Sequence, residues 1–149
     1  PIMEDAVDLM RGACERRTIA IEAHLEQDLP PVPIAGTAIL QVLLNVLHNA
    51  VDASPSKTGK VTIAASIPEP GEFLEINITD NGPGLSEECL PRIFDPFYRP
   101  ELSRGRDTGG VGLGLAIVKT CVEACNGTVV CRNREPSGLE FTIHLDATL

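Results

Sequence analysis

Apolar residues recur along this chain in two rhythms. Between residues 37 and 54, Ile39, Val42, Leu43, Val46, Leu47 and Ala50 fall at helical spacing and predict a long helix with one buried face. Leu40 and Leu44 widen the apolar stripe, and Thr37 stands where an N-cap belongs. A weaker helix is predicted over residues 2–16, with Ile2, Ala6, Leu9 and Ala13 on its inner face. A third is predicted over about 113–125, stopped by Asn126-Gly127 in a left-handed cap.

Elsewhere the period is two. "TIAIEAHL" (18–25), "KVTIAASI" (60–67), "EFLEINIT" (72–79), "TVVCRN" (128–133) and "LEFTIHL" (139–145) read as strands. The second and third are joined through "PEPGE" as a hairpin, and the last two form another. A proline-rich connection fills 28–36, and residues 80–112 are irregular, with one short helix near 86–93. Hairpin-length links between strand pairs predict a mixed, mostly antiparallel sheet with the helices on one face. The expected class is α+β, a two-layer α/β sandwich forming a single domain over 1–149. A loop of roughly thirty residues is unusual in so compact a plan and is most often functional.

Composition narrows the field. The chain of 149 residues is 43% hydrophobic and 22% charged, the balance of a globular domain. A net charge of -9 argues against nucleic acid as a partner. No apolar run is long enough to span a bilayer, so no direct membrane contact is expected of this domain. Cysteines 14, 89, 121, 125 and 131 form no CxxC pair and read as reduced thiols of a cytosolic domain. His24, His48 and His144 show no catalytic or metal spacing. With Pro1 first and Met3 inside the first predicted helix, the chain is expected to be an excerpt of a longer protein.

Four features stand out from this plan. On the 37–54 helix, Gln41, Asn45, Asn49 and Asp52 form a single polar stripe at spacings of four, four and three. Solvated stripes favour the better helix formers Lys and Glu, so this one suits either a wet face or the wall of a polar pocket. After the 72–79 strand come Asp80, Asn81, Gly82, Pro83 and Gly84. They suit a tight turn, and equally a strand-end carboxylate beside backbone that a flat ring can approach.

Of four Phe and one Tyr, Phe94, Phe97 and Tyr98 crowd into "IFDPFYRP", which predicts an anchor pinning the loop to the core. Arg99, Arg104 and Arg106 follow, either solvated or swinging over phosphates from a lid. Finally, "GGVGLGLAIVK" (109–119) is neither the dinucleotide fingerprint nor a P-loop. Its glycines still permit close backbone approach at a helix start, where free N–H groups favour a phosphate.

Taken in order, "LLNVLHNAVDAS", "DNGPGL", "IFDPFYR" and "GGVGLGLAIVK" resemble the N box, first glycine box, F box and second glycine box of the sensor histidine kinase catalytic and ATP-binding domain. The wider superfamily includes gyrase, the ninety-kilodalton heat-shock chaperone and mismatch-repair ATPases. "NGTVVCRN…GLEFTIHL" resembles the closing strands, and the likeness runs from about residue 18 to 145. It implies a Bergerat-type sandwich with ATP and Mg2+ as cofactors. Asn49 would coordinate Mg2+ through its amide oxygen, between Asn45 and Asp52 on the N-box wall. Asp80 would accept from the adenine 6-amino group, with Gly82 and Gly84 shaping the adenine wall.

Residues 95–109 become the ATP lid, with Phe97 and Tyr98 at its root and Arg99 as the catalytic arginine for the terminal phosphates. Gly110, Val111, Gly112, Leu113, Gly114 and Leu115 would hold the phosphates. The resemblance makes residues 1–17 a linker helix from an upstream dimerisation domain. The helices of that domain carry the phosphoacceptor histidine, and a response regulator receiver domain takes the phosphate next. It also implies a cytoplasmic domain, in a parent that can be anchored in the inner membrane.

Three departures from the family pattern matter. Asp52 stands where many histidine kinases have Lys or Arg, no small hydroxyl residue precedes Phe141, and no phosphoacceptor histidine box is present. Hydrolysing members of the superfamily carry a Glu at the position of Asn45, whose amide cannot take a proton near neutral pH. The expected function is therefore γ-phosphate transfer to a histidine outside this chain. A hydrolytic ATPase domain and a non-catalytic nucleotide-sensing module are the alternatives, and a serine kinase of the anti-sigma type shares the fold.

Overall fold

The computed structural model describes residues 2–26, 36–68, 73–98 and 114–146. Helix α1 (Ile2–Arg17) and strand β1 (Ala20–Leu25) precede helix α2 (Gly36–Ala53). Strands β2 (Lys60–Ser66) and β3 (Phe73–Asp80) follow, then a 3-10 turn (Leu90–Arg92). Helix α3 (Gly114–Ala124) and strands β4 (Thr128–Asn133) and β5 (Leu139–Asp146) complete the order.

The strands lie in the order β1-β2-β3-β5-β4. β1 runs parallel to β2, as a connection through a helix allows, and every other pairing is antiparallel. The mixed sheet and the α+β sandwich expected from the sequence are what the chain builds. Alternation decides the inner face. On β3, Leu74, Ile76 and Ile78 are buried between half-exposed neighbours, and Asp80 continues the same inward series. Phe141 and Ile143 of β5 join this layer, and Val42, Leu43, Val46 and Leu47 of α2 pack over it.

Three local expectations need correction. The inner stripe of α1 is Ala6, Val7, Met10 and Cys14, while Leu9 is 61% exposed. That short helix carries two apolar stripes of similar strength, and contact with the rest of the core selects one. Thr37 lies inside α2, which already includes Gly36, so it is not the N-cap. The short helix expected near 86–93 is narrower, a 3-10 turn at Leu90–Arg92.

The end of α3 follows the expected left-handed cap. Asn126 has φ 60°, its N–H reaches Glu123 O at 3.0 Å, and Gly127 N–H reaches Val122 O at 2.9 Å. No helix among the described residues is long and apolar enough to cross a membrane.

Candidate functional site

Three polar residues are buried among the described residues: Ser54, Asp80 and Thr142. Ser54 Oγ donates to Ala50 O at 2.8 Å, and Thr142 Oγ1 donates to Asn77 Oδ1 at 2.8 Å. Asp80 is different. The pleat of β3 carries its carboxyl group into the apolar layer at 1% exposure. Its Oδ1 accepts from the N–H of Gly82 at 2.8 Å and of Leu139 at 3.3 Å. Among the described residues, its Oδ2 is the one buried side-chain oxygen or nitrogen without a hydrogen-bond partner.

Burial pushes this carboxyl above the ordinary aspartate value, opposed by the two N–H groups and the Arg134 guanidinium. An unpaired buried acceptor costs about 1–3 kcal/mol. The site therefore suits a donor that the described residues do not supply.

The backbone around Asp80 is tightly drawn. A methyl group on Gly82 would collide with the carbonyl of Ala53 at the end of α2, and one on Gly138 would collide with the carbonyl of Asp80. Gly84 has φ +76° and lies against Asn133 Oδ1. Gly82 and Gly84 thus do not leave room for a ring on their side-chain side, since protein fills that space. They let neighbouring segments close on one acid instead.

Other residues of this closure escape sequence reasoning. Asn133 Oδ1 accepts from the Leu85 N–H at 2.9 Å, Asn133 Nδ2 donates to Leu85 O at 2.7 Å, and Arg134 Nη1 donates to Asp80 O at 3.1 Å. Asn81 bridges Lys60 N–H and Thr58 O, both at 2.9 Å. The one local signal for this turn is the glycine of "EPSG", since Gly138 adopts φ +106°.

Helix α2 carries the polar stripe toward the same region. Asn45, Asn49 and Asp52 are half-buried and Gln41 is exposed. Gln41 Nε2 donates to Asn45 Oδ1 at 3.1 Å, and Asn45 Nδ2 donates to Gly114 O at 3.2 Å. The Asn45 amide thereby fastens α2 to the first residue of α3, while Ala53 abuts Gly82. Residues 45 and 53 are roughly 12 Å apart along the helix axis at 1.5 Å per residue. Asn49 lies between them, one turn from each. At Gly114 the nearest atom among the described residues in the side-chain direction is Asn45 Cγ at 3.9 Å, and Leu115 packs against the core.

The aromatic cluster divides. Phe94 meets Phe141 edge-on at 6.1 Å, beside the buried Ile93. Tyr98 Oη donates to Cys89 Sγ at 3.0 Å, and the Arg92 guanidinium lies 4.6 Å over its ring. Phe97 faces outward at 69% exposure with φ 64°. The expected anchor is thus made by Phe94 and Tyr98, and Phe97 takes no part in it. Arg99, Gly110, Val111, Gly112 and Leu113 lie outside the described residues, as does the lid beyond residue 98.

Residues 35–149 match the family described as histidine kinase-, DNA gyrase B- and HSP90-like ATPases. The chain belongs to this family, as an ATP-binding catalytic domain of the sensor histidine kinase kind. It is 36% identical over 145 residues to sensor histidine kinase WalK of Bacillus subtilis, covering 93% of this chain and 24% of that one. It is 32% identical over 146 residues to the non-motile and phage-resistance protein of Caulobacter vibrioides, covering 95% of this chain and 17% of that one. The chain therefore spans only about a fifth of the length of these relatives.

Among solved structures, the mycobacterial sensor histidine kinase MprB matches with TM-score 0.81 and 29% identity, over 97% of this chain and 93% of that one. Full-length ShkA in complex with AMPPNP matches with TM-score 0.82 and 29% identity, over 99% of this chain and 30% of that one.

Proposed function

We propose that this domain binds Mg-ATP, with the adenine at Asp80 and the triphosphate running along α2 toward the start of α3. It then gives the γ-phosphate to a histidine outside this chain. The observation that carries the reading is the buried, unpartnered Oδ2 of Asp80. An adenine 6-amino group would donate to it. The 6-oxo group of guanine would instead set acceptor against acceptor, which a polar site rejects strongly. That a structural neighbour 29% identical in sequence is solved with AMPPNP supports the choice of ligand.

At the other end, the start of α3 offers peptide N–H groups to phosphate oxygens. Asn49, with a hard amide oxygen midway along α2, would hold Mg2+, which takes its remaining ligands from phosphates and water. When bound, the ion would neutralise charge on the phosphates. Among the described residues no cluster of three or more His, Cys, Asp or Glu could hold a metal unaided, so a site shared with the nucleotide fits this donor set. Arg99, Gly110, Val111, Gly112 and Leu113 are proposed for the phosphates on the motifs alone.

Transfer is favoured over hydrolysis by Asn45. Its amide is engaged with Gln41 and Gly114 and has no basic lone pair to take a proton from water. An external imidazole nitrogen needs no such base: it attacks the γ-phosphorus in line while ADP departs. Residues 1–17 would then be the linker from the upstream dimerisation helices, and a receiver domain would take the phosphate.

The test has two stages. Titration with Mg-ATP and Mg-GTP should show strong preference for ATP. Mixing with the separately produced upstream helices and labelled ATP should yield phosphohistidine. Binding without any transfer would move the domain to a nucleotide-sensing role, and brisk hydrolysis without transfer would make it an ATPase.

A further inference from the structure

The turn between β4 and β5 grips Asp80 from two directions, and the nucleotide reading does not by itself require this. Arg134 leaves β4 and its Nη1 donates to the Asp80 carbonyl at 3.1 Å. Five residues later, the Leu139 N–H that opens β5 donates to Oδ1 of the same residue at 3.3 Å. The turn is closed on itself by Arg134 N–H to Gly138 O at 2.8 Å. Gly138, at φ +106°, is pressed so closely on the Asp80 peptide that no side chain fits. On the near side, the Asn133 side-chain amide accepts from the Leu85 N–H and donates to the Leu85 carbonyl, so the turn is also tied to the chain just after the glycines.

We infer that this turn is a clamp on the adenine-reading acid, and that Arg134 is a positioning residue for base selection. The inference rests on the nucleotide reading and deepens it. Two bonds to Oδ1 set the rotation of the carboxylate, and that rotation decides where Oδ2 stands. The bond from Gly82 is internal to the Asp80 turn and survives any movement of the β4–β5 turn. The bond from Leu139, at 3.3 Å, is near the long limit for N–H···O and is lost with a small shift. The Arg134 guanidinium holds the turn at the register that keeps it. It also places positive charge beside the acid, which favours the ionised acceptor over a protonated one.

The experiment compares wild type, Arg134→Met, Arg134→Lys and Asp80→Asn by titration with Mg-ATP and Mg-GTP, with thermal melts as a check on folding. Arg134→Met should weaken ATP binding about tenfold, the scale of one lost hydrogen bond to an ionised group, with GTP affinity nearly unchanged. Arg134→Lys should recover part of the preference. An unaltered ATP-to-GTP ratio in Arg134→Met overturns the clamp, whether both affinities hold or both fall together. If Arg134→Met does not fold, the ratio in Arg134→Lys decides, since its shorter reach and single charge centre should leave a preference below wild type. Wild type that fails to bind ATP, or Asp80→Asn that binds as wild type does, overturns the nucleotide reading and the clamp with it. Loss in Asp80→Asn with a normal ratio in both Arg134 variants overturns the clamp alone.

Discussion

Oδ1 of Asp80 accepts a hydrogen bond from the Leu139 N–H at 3.3 Å, although the two residues belong to strands far apart in the chain. The register of β3 on β5 makes it possible, pairing Ile78 with Phe141 and Thr79 with Glu140. A strand-end acid thus faces the first peptide of its neighbour, and the second carboxylate oxygen is left for a ligand.

Asp80→Asn keeps one acceptor oxygen and turns the other into an N–H donor aimed at the ligand's own donor. ATP affinity is expected to fall by about a hundredfold, roughly 3 kcal/mol. Circular dichroism should show the wild-type fold. Calorimetric titration giving an unchanged affinity would remove Asp80 from the adenine site.

Nucleotide affinity should depend on pH through the same group. The free acid is raised above its ordinary 3.8, and an amino donor pairs with its ionised form. Affinity is therefore present above the raised value and is lost as pH falls through it, at a higher pH than an exposed aspartate would give. Asp80→Asn should abolish that acid limb. Titrations across mildly acidic pH that stay flat for wild type would contradict the assignment.

Gly82→Ala drives a methyl group into the Ala53 carbonyl, which is backbone and cannot rotate away. A loss of about 1–3 kcal/mol in urea unfolding is expected, the usual range for overpacking. Gly114→Ala is the contrast, with its nearest neighbour among the described residues at 3.9 Å. In the first turn of a helix it should leave stability unchanged or raise it by up to about 1 kcal/mol. Equal losses for both variants would show that the close approach at Gly82 is unimportant.

Arg17 reaches from the end of α1 to the carbonyls of Val51 and Ser54, where α2 runs out of intrahelical donors. A guanidinium at a helix C-terminus is favourable on both hydrogen-bonding and dipole grounds. Arg17→Met should cost about 1–2 kcal/mol, with Arg17→Lys recovering part of it. A melting temperature that does not move in Arg17→Met would show the cap to be dispensable.

Glu75 is held below the usual glutamate range, first by its hydrogen bond from His144 at 2.9 Å. Its contribution to stability is present above the unfolded value of 4.5 and is lost as pH falls through the lower folded one. His144→Phe keeps a ring beside Phe73 but removes the donor. Unfolding free energy followed from neutral pH downward should decline less steeply in the variant. Identical acid limbs would dismiss the pair as a contributor.

Much of this protein was determined by local pattern. The period-two runs became the five strands of the described residues, and the 39–50 stripe became the buried face of α2, because side-chain direction follows from backbone repeat alone. Four short motifs in order carried the family. What the fold alone decided lies wherever two candidates were locally equal or the partner was distant. The inner stripe of α1 was chosen by its packing, and Phe97 was turned outward while Phe94 met Phe141. Arg134, Gly138 and Leu139 came to Asp80, and Asn133 to Leu85, through the pairing of β5 with both β3 and β4. A hydrogen bond between residues far apart in sequence leaves no period in either segment, so only the assembled sheet reveals it.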